Sequence, residues 1–165
     1  DMTTACFDSC EDCIDYAALL HGSWSPIGMG VGPNQGDEGW WSYPRDGSRG
    51  CWEDDVFEFK ADGTFTMDLG ADTWLEGWQG VASEGCGAPV APHVSADHTY
   101  SFNASAMELT VNGDGAYVVL AKAHNSGEDG NSGGSIMYHV TSVTETEMIL
   151  DLNYGNWWRL YLKKN

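Results

Sequence analysis

The residues best equipped for chemistry in this chain stand together in DTWLEGWQG, residues 72–80, where Trp74 and Trp78 bracket Glu76 and Gln79 follows. An indole ring can cover the apolar C–H face of a pyranose, while a carboxylate or amide beside it accepts from or donates to the hydroxyls. One short loop therefore holds the elements of sugar recognition. Trp40 and Trp41, with Tyr43 after them, form a second aromatic group. His93 lies in a long loop, residues 80–97, that Cys86 would hold beside the first group. The competing reading of each tryptophan is core. Eight of them in 165 residues are enough to supply both a core and a surface.

Glycoside hydrolysis would need a pair of carboxylates set as acid and base, and Asp72 with Glu76 or Asp54 with Asp55 are the candidates. Successive residues of a regular strand face opposite sides, so Asp54 and Asp55 cannot both aim at one bond. H-E-x-x-H is absent, and His21, His93, His98, His124 and His139 show no metal-ligand spacing. The expectation is binding without catalysis.

Seven Lys and Arg against 25 Asp and Glu give a formal charge of −18. Nucleic-acid binding rests on neutralising phosphates with Lys and Arg, so that partner class is excluded, and anionic membranes are disfavoured for the same reason. The charge reads first as solubility in salty water and second as an acidic site for cations. The run 125–134, NSGEDGNSGG, has the composition of a calcium loop without its ordered ligand pattern, so calcium is a candidate cofactor and a plain exposed loop is favoured. No run of about 18 apolar residues exists, so membrane insertion by a helix is not expected.

Five cysteines are an odd number. Cys51 and Cys86 are well separated and each borders a turn-rich stretch, which pairs them as a disulfide worth about 4 kcal/mol in the chain-entropy model. Cys6, Cys10 and Cys13 cluster in an acidic segment. A zinc site there would need His21 as fourth ligand at an unusual spacing, so one local disulfide with a cysteine left over is favoured. Either arrangement points to an oxidising compartment, extracellular or at the cell surface.

These residues are carried by many short alternating runs separated by Gly-rich turns. Residues 1–20 are expected to be a cysteine-containing leader or linker end with a helical turn over 12–20, and residues 21–165 a single domain. Strands are expected at 22–26, 40–43, 56–60 and 64–69 (joined by an Ala-Asp-Gly turn), then 99–103 and 108–111, then a buried strand at 115–123, then 135–143, 147–152 and 157–163. Gly28, Gly30 and Gly32 alternate, as in a kinked strand or one that another backbone approaches closely. Eight to ten strands linked as neighbouring hairpins make an all-β antiparallel meander, closing as a calycin-like barrel or a flattened β-sandwich. The first and last strands both carry Trp, as expected if they meet to close the sheet.

Several strings resemble one family: GVGP at 30–33, the Trp40–Trp41 pair, DDVFEF at 54–59, ADGTF, DTWLEGWQG, CGAPVAPH at 86–93, LTVNGDGAY at 109–117 and WWRLYL near the end. They look like a secreted β-rich accessory module of marine bacteria found beside laminarinase-type glycoside hydrolases and surface glycan-binding proteins. The likeness runs from about Trp24 to Lys163. It implies a non-catalytic carbohydrate-binding role on a laminarin-like β-glucan, with a polysaccharide or oligosaccharide as partner and the chain as part of a longer multidomain protein. It carries over no ligand residues. The alternatives are a structural or adhesive module of an extracellular assembly and, behind it, a glycoside hydrolase.

Overall fold

The computed structural model describes residues 13–130 and 134–165. A helical turn, α1 (Tyr16–Leu20), leads into an 11-residue strand, β1 (Gly22–Gly32). A short strand β2 (Trp41–Ser42) and a helical turn α2 (Gly50–Glu53) precede the hairpin β3 (Val56–Phe59) and β4 (Thr64–Asp68). A two-stranded side ribbon, β5 (Thr73–Leu75) with β6 (Gly85–Gly87), is followed by β7 (Ala96–Asn103) and β8 (Glu108–Asn112). The chain ends with β9 (Ser135–Val143), β10 (Glu147–Asn153) and β11 (Trp157–Lys164).

The main sheet runs β11-β10-β9-β8-β7-β4-β3-β1, and β1 pairs again with β11. Every neighbour in that order is the next barrel strand in the chain, and every pair is antiparallel. The result is an eight-stranded up-and-down barrel of the calycin kind. Closure joins the first and last strands from Trp24 opposite Lys164 to Gly32 opposite Trp157. It leaves no long edge to template association.

Period-two patterning decides what faces inward. Phe57 and Phe59 on β3, Phe65 and Met67 on β4, Leu109 and Val111 on β8, and Leu160 and Leu162 on β11 are all buried, with more exposed residues between them. An eight-stranded barrel is just wide enough for such side chains to fill. The rings interlock as stacked and edge-on pairs, such as Phe59 against Phe65 at 5.0 Å and Phe57 against Tyr117 at 5.6 Å.

Four expectations are corrected. Residues 116–120 are buried as expected, but they form an irregular segment rather than a strand. The segment lies against the barrel interior: Val118 N–H donates to the hydroxyl of Tyr138, and the Trp52 indole donates to the Val119 carbonyl at 2.7 Å. These anchors hold Val119 in the left-handed region (φ 69°), which a β-branched residue adopts only under constraint. Second, the strand expected at 40–43 shrinks to β2, because Trp40 and Trp41 are both exposed and Tyr43 turns into the core with its hydroxyl donating to Glu53. Third, the strand expected at 22–26 continues to Gly32 past a register shift between Pro26 and Gly28. A Cβ on Gly28, Gly30 or Gly32 would collide with Arg45, Glu38 or Asp37, so the alternating glycines let the following loop lie close against the strand.

Fourth, the boundary at residue 20 moves. Leu20 is buried, the Asp15 carboxylate caps α1 through Ala18 N–H, and the last carbonyls of the turn accept from the barrel: Leu20 from the Trp24 indole, Leu19 from Lys164. Residues 16–20 thus belong to the domain. Cys51 and Cys86 form the expected disulfide, with Cα atoms 6.0 Å apart, tying α2 to the side ribbon. Cys13 is disulfide-bonded, so its sulfur is no zinc ligand for His21, while Cys6 and Cys10 lie outside the described residues.

Candidate functional site

The barrel has one end of short turns and one of long loops. Near the loop end β1 and β3 separate. They pair only from Gly22 to Trp24, and above that the same edge of β1 takes β2 instead. A groove of about 380 Å³ lies at this end. Its apolar wall is Met29 and Val31 of β1, Leu120 of the buried segment, and the rings of Trp40, Trp41 and Trp158. Its polar groups are Arg49, Lys122, Tyr154 and three carboxylates, Glu76, Glu84 and Glu128.

Most of these groups are held in place. Trp41 meets Trp158 edge-on at 6.2 Å. Glu128 accepts from the Trp158 indole at 3.1 Å and from Lys122 at 3.3 Å. Burial works to raise the Glu128 carboxyl, but donors on Tyr154, Trp158 and Lys122 hold it below the usual range. Burial and the same carboxylate push the Tyr154 phenol up to about 12. Lys122 lies 5.2 Å from the Trp158 ring centre and reaches Glu76 at 3.9 Å. Glu76 also accepts from the Trp78 indole at 3.0 Å and closes a reciprocal cap with Gln79 over the 3₁₀ turn Gly77–Gln79.

Arg49 is set differently. It precedes α2 and the bridged Cys51, and its guanidinium sits 4.2 Å from the Trp74 ring centre and 5.4 Å from that of Trp41. Burial lowers its pKa from the usual arginine value, with Glu76 and Glu84 opposing, and it stays charged.

The expected site residues therefore divide. Trp40, Trp41 and Glu76 line the groove. Trp74 is half-buried beneath Arg49 and supports it, rather than offering a face to a ligand. Trp78 is exposed but stands outside the groove, its indole spent on Glu76, and Gln79 is used in the cap. His93 is buried. Its Nδ1–H donates to the Gly115 carbonyl, and its ring stands edge-on between Trp78 and Tyr117 at 5.5 and 5.6 Å, so it is a strut and not a contact residue. Arg49, Lys122, Glu128, Tyr154 and Trp158 come to the groove without having been singled out by sequence. For Arg49 the available signal was scarcity: among so few basic residues, an arginine two places before a bridged cysteine is conspicuous.

The catalytic alternatives fare as follows. Asp54 is exposed and Asp55 buried, so the two point apart. The string GNSGG at residues 130–134 has the G-x-S-x-G spelling of a nucleophile elbow. It leads into β9 rather than a helix and so lacks the strand–turn–helix setting that the motif needs. Ser132 lies outside the described residues. Among the described residues, potential metal donors cluster at Cys51, Asp72 and Cys86, where the two sulfurs are bonded to each other. In the 125–134 loop, Glu128 is spent as above, Asp129 on His124, and the Asn125 side chain on backbone groups of Met137 and Asn153. No helix among the described residues is long and apolar enough to cross a membrane.

No family model matches the chain, and no curated protein matches it. Among solved structures it is similar to a lipocalin-like protein from Bacteroides uniformis, at 12% identity and a TM-score of 0.47, over 89% of this chain and 99% of that one. It is also similar to an uncharacterized protein from Bacteroides eggerthii, at 12% identity and a TM-score of 0.45, over 88% and 99%. The barrel assignment itself rests on the strand order and closure described above.

Proposed function

We propose that the chain is a non-catalytic carbohydrate-binding module whose ligand lies in the groove at the loop end. The observation that carries this reading is the exposure of two adjacent tryptophans, Trp40 at 56% and Trp41 at 39%, beside a groove furnished with fixed donors and acceptors. Large exposed aromatics grouped at a concave polar site are what a sugar face requires, and they are not needed for the core. The ligand implied by the family resemblance is a soluble laminarin-like β-glucan, bound as part of a longer protein, and the setting implied by the Cys51–Cys86 bridge is extracellular or at the cell surface.

Titration calorimetry with laminarin oligosaccharides tests the reading. Trp40→Ala and Trp41→Ala should each weaken binding by about tenfold to a hundredfold, the worth of about 1–3 kcal/mol of buried aromatic surface. Unchanged affinity in folded variants would remove the groove from the site. The same oligosaccharides incubated with the protein should release no reducing ends. Release that vanishes with Glu76→Gln would make the chain an enzyme.

A further inference from the structure

The groove holds two cations, and only one of them is already committed. Lys122 is shared by Glu76 and Glu128. Elsewhere, on the outer wall, Arg159 forms a fork on the buried carboxylate of Asp151 at 2.8 and 2.9 Å. Arg49 has no such partner. Among the described residues no carboxylate stands within ion-pair distance of it and none of its side-chain N–H groups donates a hydrogen bond, although the group is half-buried between two indoles. A guanidinium keeps its donors in one plane, so stacking against Trp74 and Trp41 fixes the direction in which the fork faces. A partly desolvated charge with unspent donors is complementary to a planar acceptor that can take two parallel hydrogen bonds.

We infer that the groove selects an acidic sugar, with the carboxylate of a uronic-acid unit received by the Arg49 fork while the ring of that unit or its neighbour lies against Trp40 and Trp41. This rests on the glycan-binding reading and deepens it by naming the sugar chemistry. A neutral glucan could offer Arg49 only hydroxyls, which are weaker acceptors than a carboxylate. The three groove glutamates do not cancel the preference. Glu76 and Glu128 are held by Lys122 and by indole donors, and Glu84 is exposed to water that screens it.

The test is calorimetric titration of the full chain with oligouronates and with neutral laminarin oligosaccharides of matched length. The oligouronates should bind at least about tenfold more tightly, as one or more charge-assisted hydrogen bonds would give. Arg49→Gln should remove that preference, weakening the oligouronate more than the neutral sugar, and Arg49→Lys, which keeps the charge and loses the fork, should restore only part of it. Equal binding of both ligands by the natural chain overturns the acidic-sugar inference and leaves the glycan reading standing. Failure of the folded chain to bind either one overturns the glycan reading and the inference with it. The comparison on the natural chain decides the matter even if an Arg49 variant does not fold.

Discussion

The two ends of the barrel are built on opposite plans. At one end the connections β3–β4, β7–β8 and β9–β10 are short turns, and α1 covers the opening with Leu20 buried beneath it. At the other end the chain spends residues 33–55, 69–95 and 113–134 on excursions that hold a disulfide, a side ribbon, a buried irregular segment and the groove. The tryptophans show the same contrast. Trp24, at the turn end, is fully buried with its indole satisfied by Leu20, whereas Trp40, at the loop end, keeps more than half its surface in water. One end is scaffold. The other adds core of its own, in Trp52 and residues 116–120, and carries the groove.

The contrast would be broken most visibly by Trp24→Ala. That change should remove about 3–5 kcal/mol of folding stability by emptying a packed site, seen as a steep fall in melting temperature. A small fall would mean that the turn end does not serve as scaffold. Next in size is the bridge. Replacing both Cys51 and Cys86 by serine should cost about 2–4 kcal/mol and weaken ligand binding, because α2, Arg49 and the side ribbon lose their tie. Binding unchanged in the bridge-free variant would show that the groove is held without it.

Asp55 gives a smaller, pH-dependent effect. It is buried, one carboxyl oxygen accepts from Thr73 at 2.6 Å, and the other has no partner. Burial pushes its pKa up to about 8, the Thr73 hydrogen bond opposes, and the charges of Asp54, Asp68 and Asp72 add to the rise. The folded value lies above the ordinary 3.8, so between the two the folded state holds a proton that the unfolded state has lost. Stability from this group is full below the lower value, falls as pH rises and reaches its floor above about 8. Between about pH 6 and about pH 8 the loss should approach 2 kcal/mol, and Asp55→Asn should flatten that slope in thermal melts. An unaltered slope in the variant would assign the pH dependence to other groups. The smallest stability effect belongs to Trp40→Ala, which should change folding by less than about 0.5 kcal/mol while its ligand affinity drops. A large loss of stability would make Trp40 a core residue after all.

Much of the scaffold was legible because barrel strands obey a local rule. Val56 to Phe59 and Thr64 to Asp68 alternate in hydrophobicity around an Asp-Gly turn, and that pattern alone specifies a hairpin with one buried face. The Cys51–Cys86 pairing was readable from spacing and turn chemistry. Segment 116–120 defeated the same rule. A continuous apolar run looks alike whether it is a central strand or a coil wedged inside a barrel, and only the anchors from Trp52 and Tyr138 distinguish the two.

Sequence alone determined the class of the protein: an acidic, disulfide-bridged, antiparallel meander with more tryptophan than a core requires. Those properties come from composition and from contacts between neighbours in the chain, which any reader of the residues can count. It placed Trp40, Trp41 and Glu76 among the candidates but ranked Trp74, Trp78 and His93 with them, since a tryptophan in a polar loop carries no mark of which way it will face. Tertiary structure decided the rest. It brought Trp158 from the last strand, Lys122 and Glu128 from the loop before β9, and Arg49 from beside the disulfide to one groove. These residues are far apart in sequence, and no local preference links them. Their meeting is set by barrel closure and by the separation of β1 from β3, which are properties of the whole sheet and of no single stretch within it.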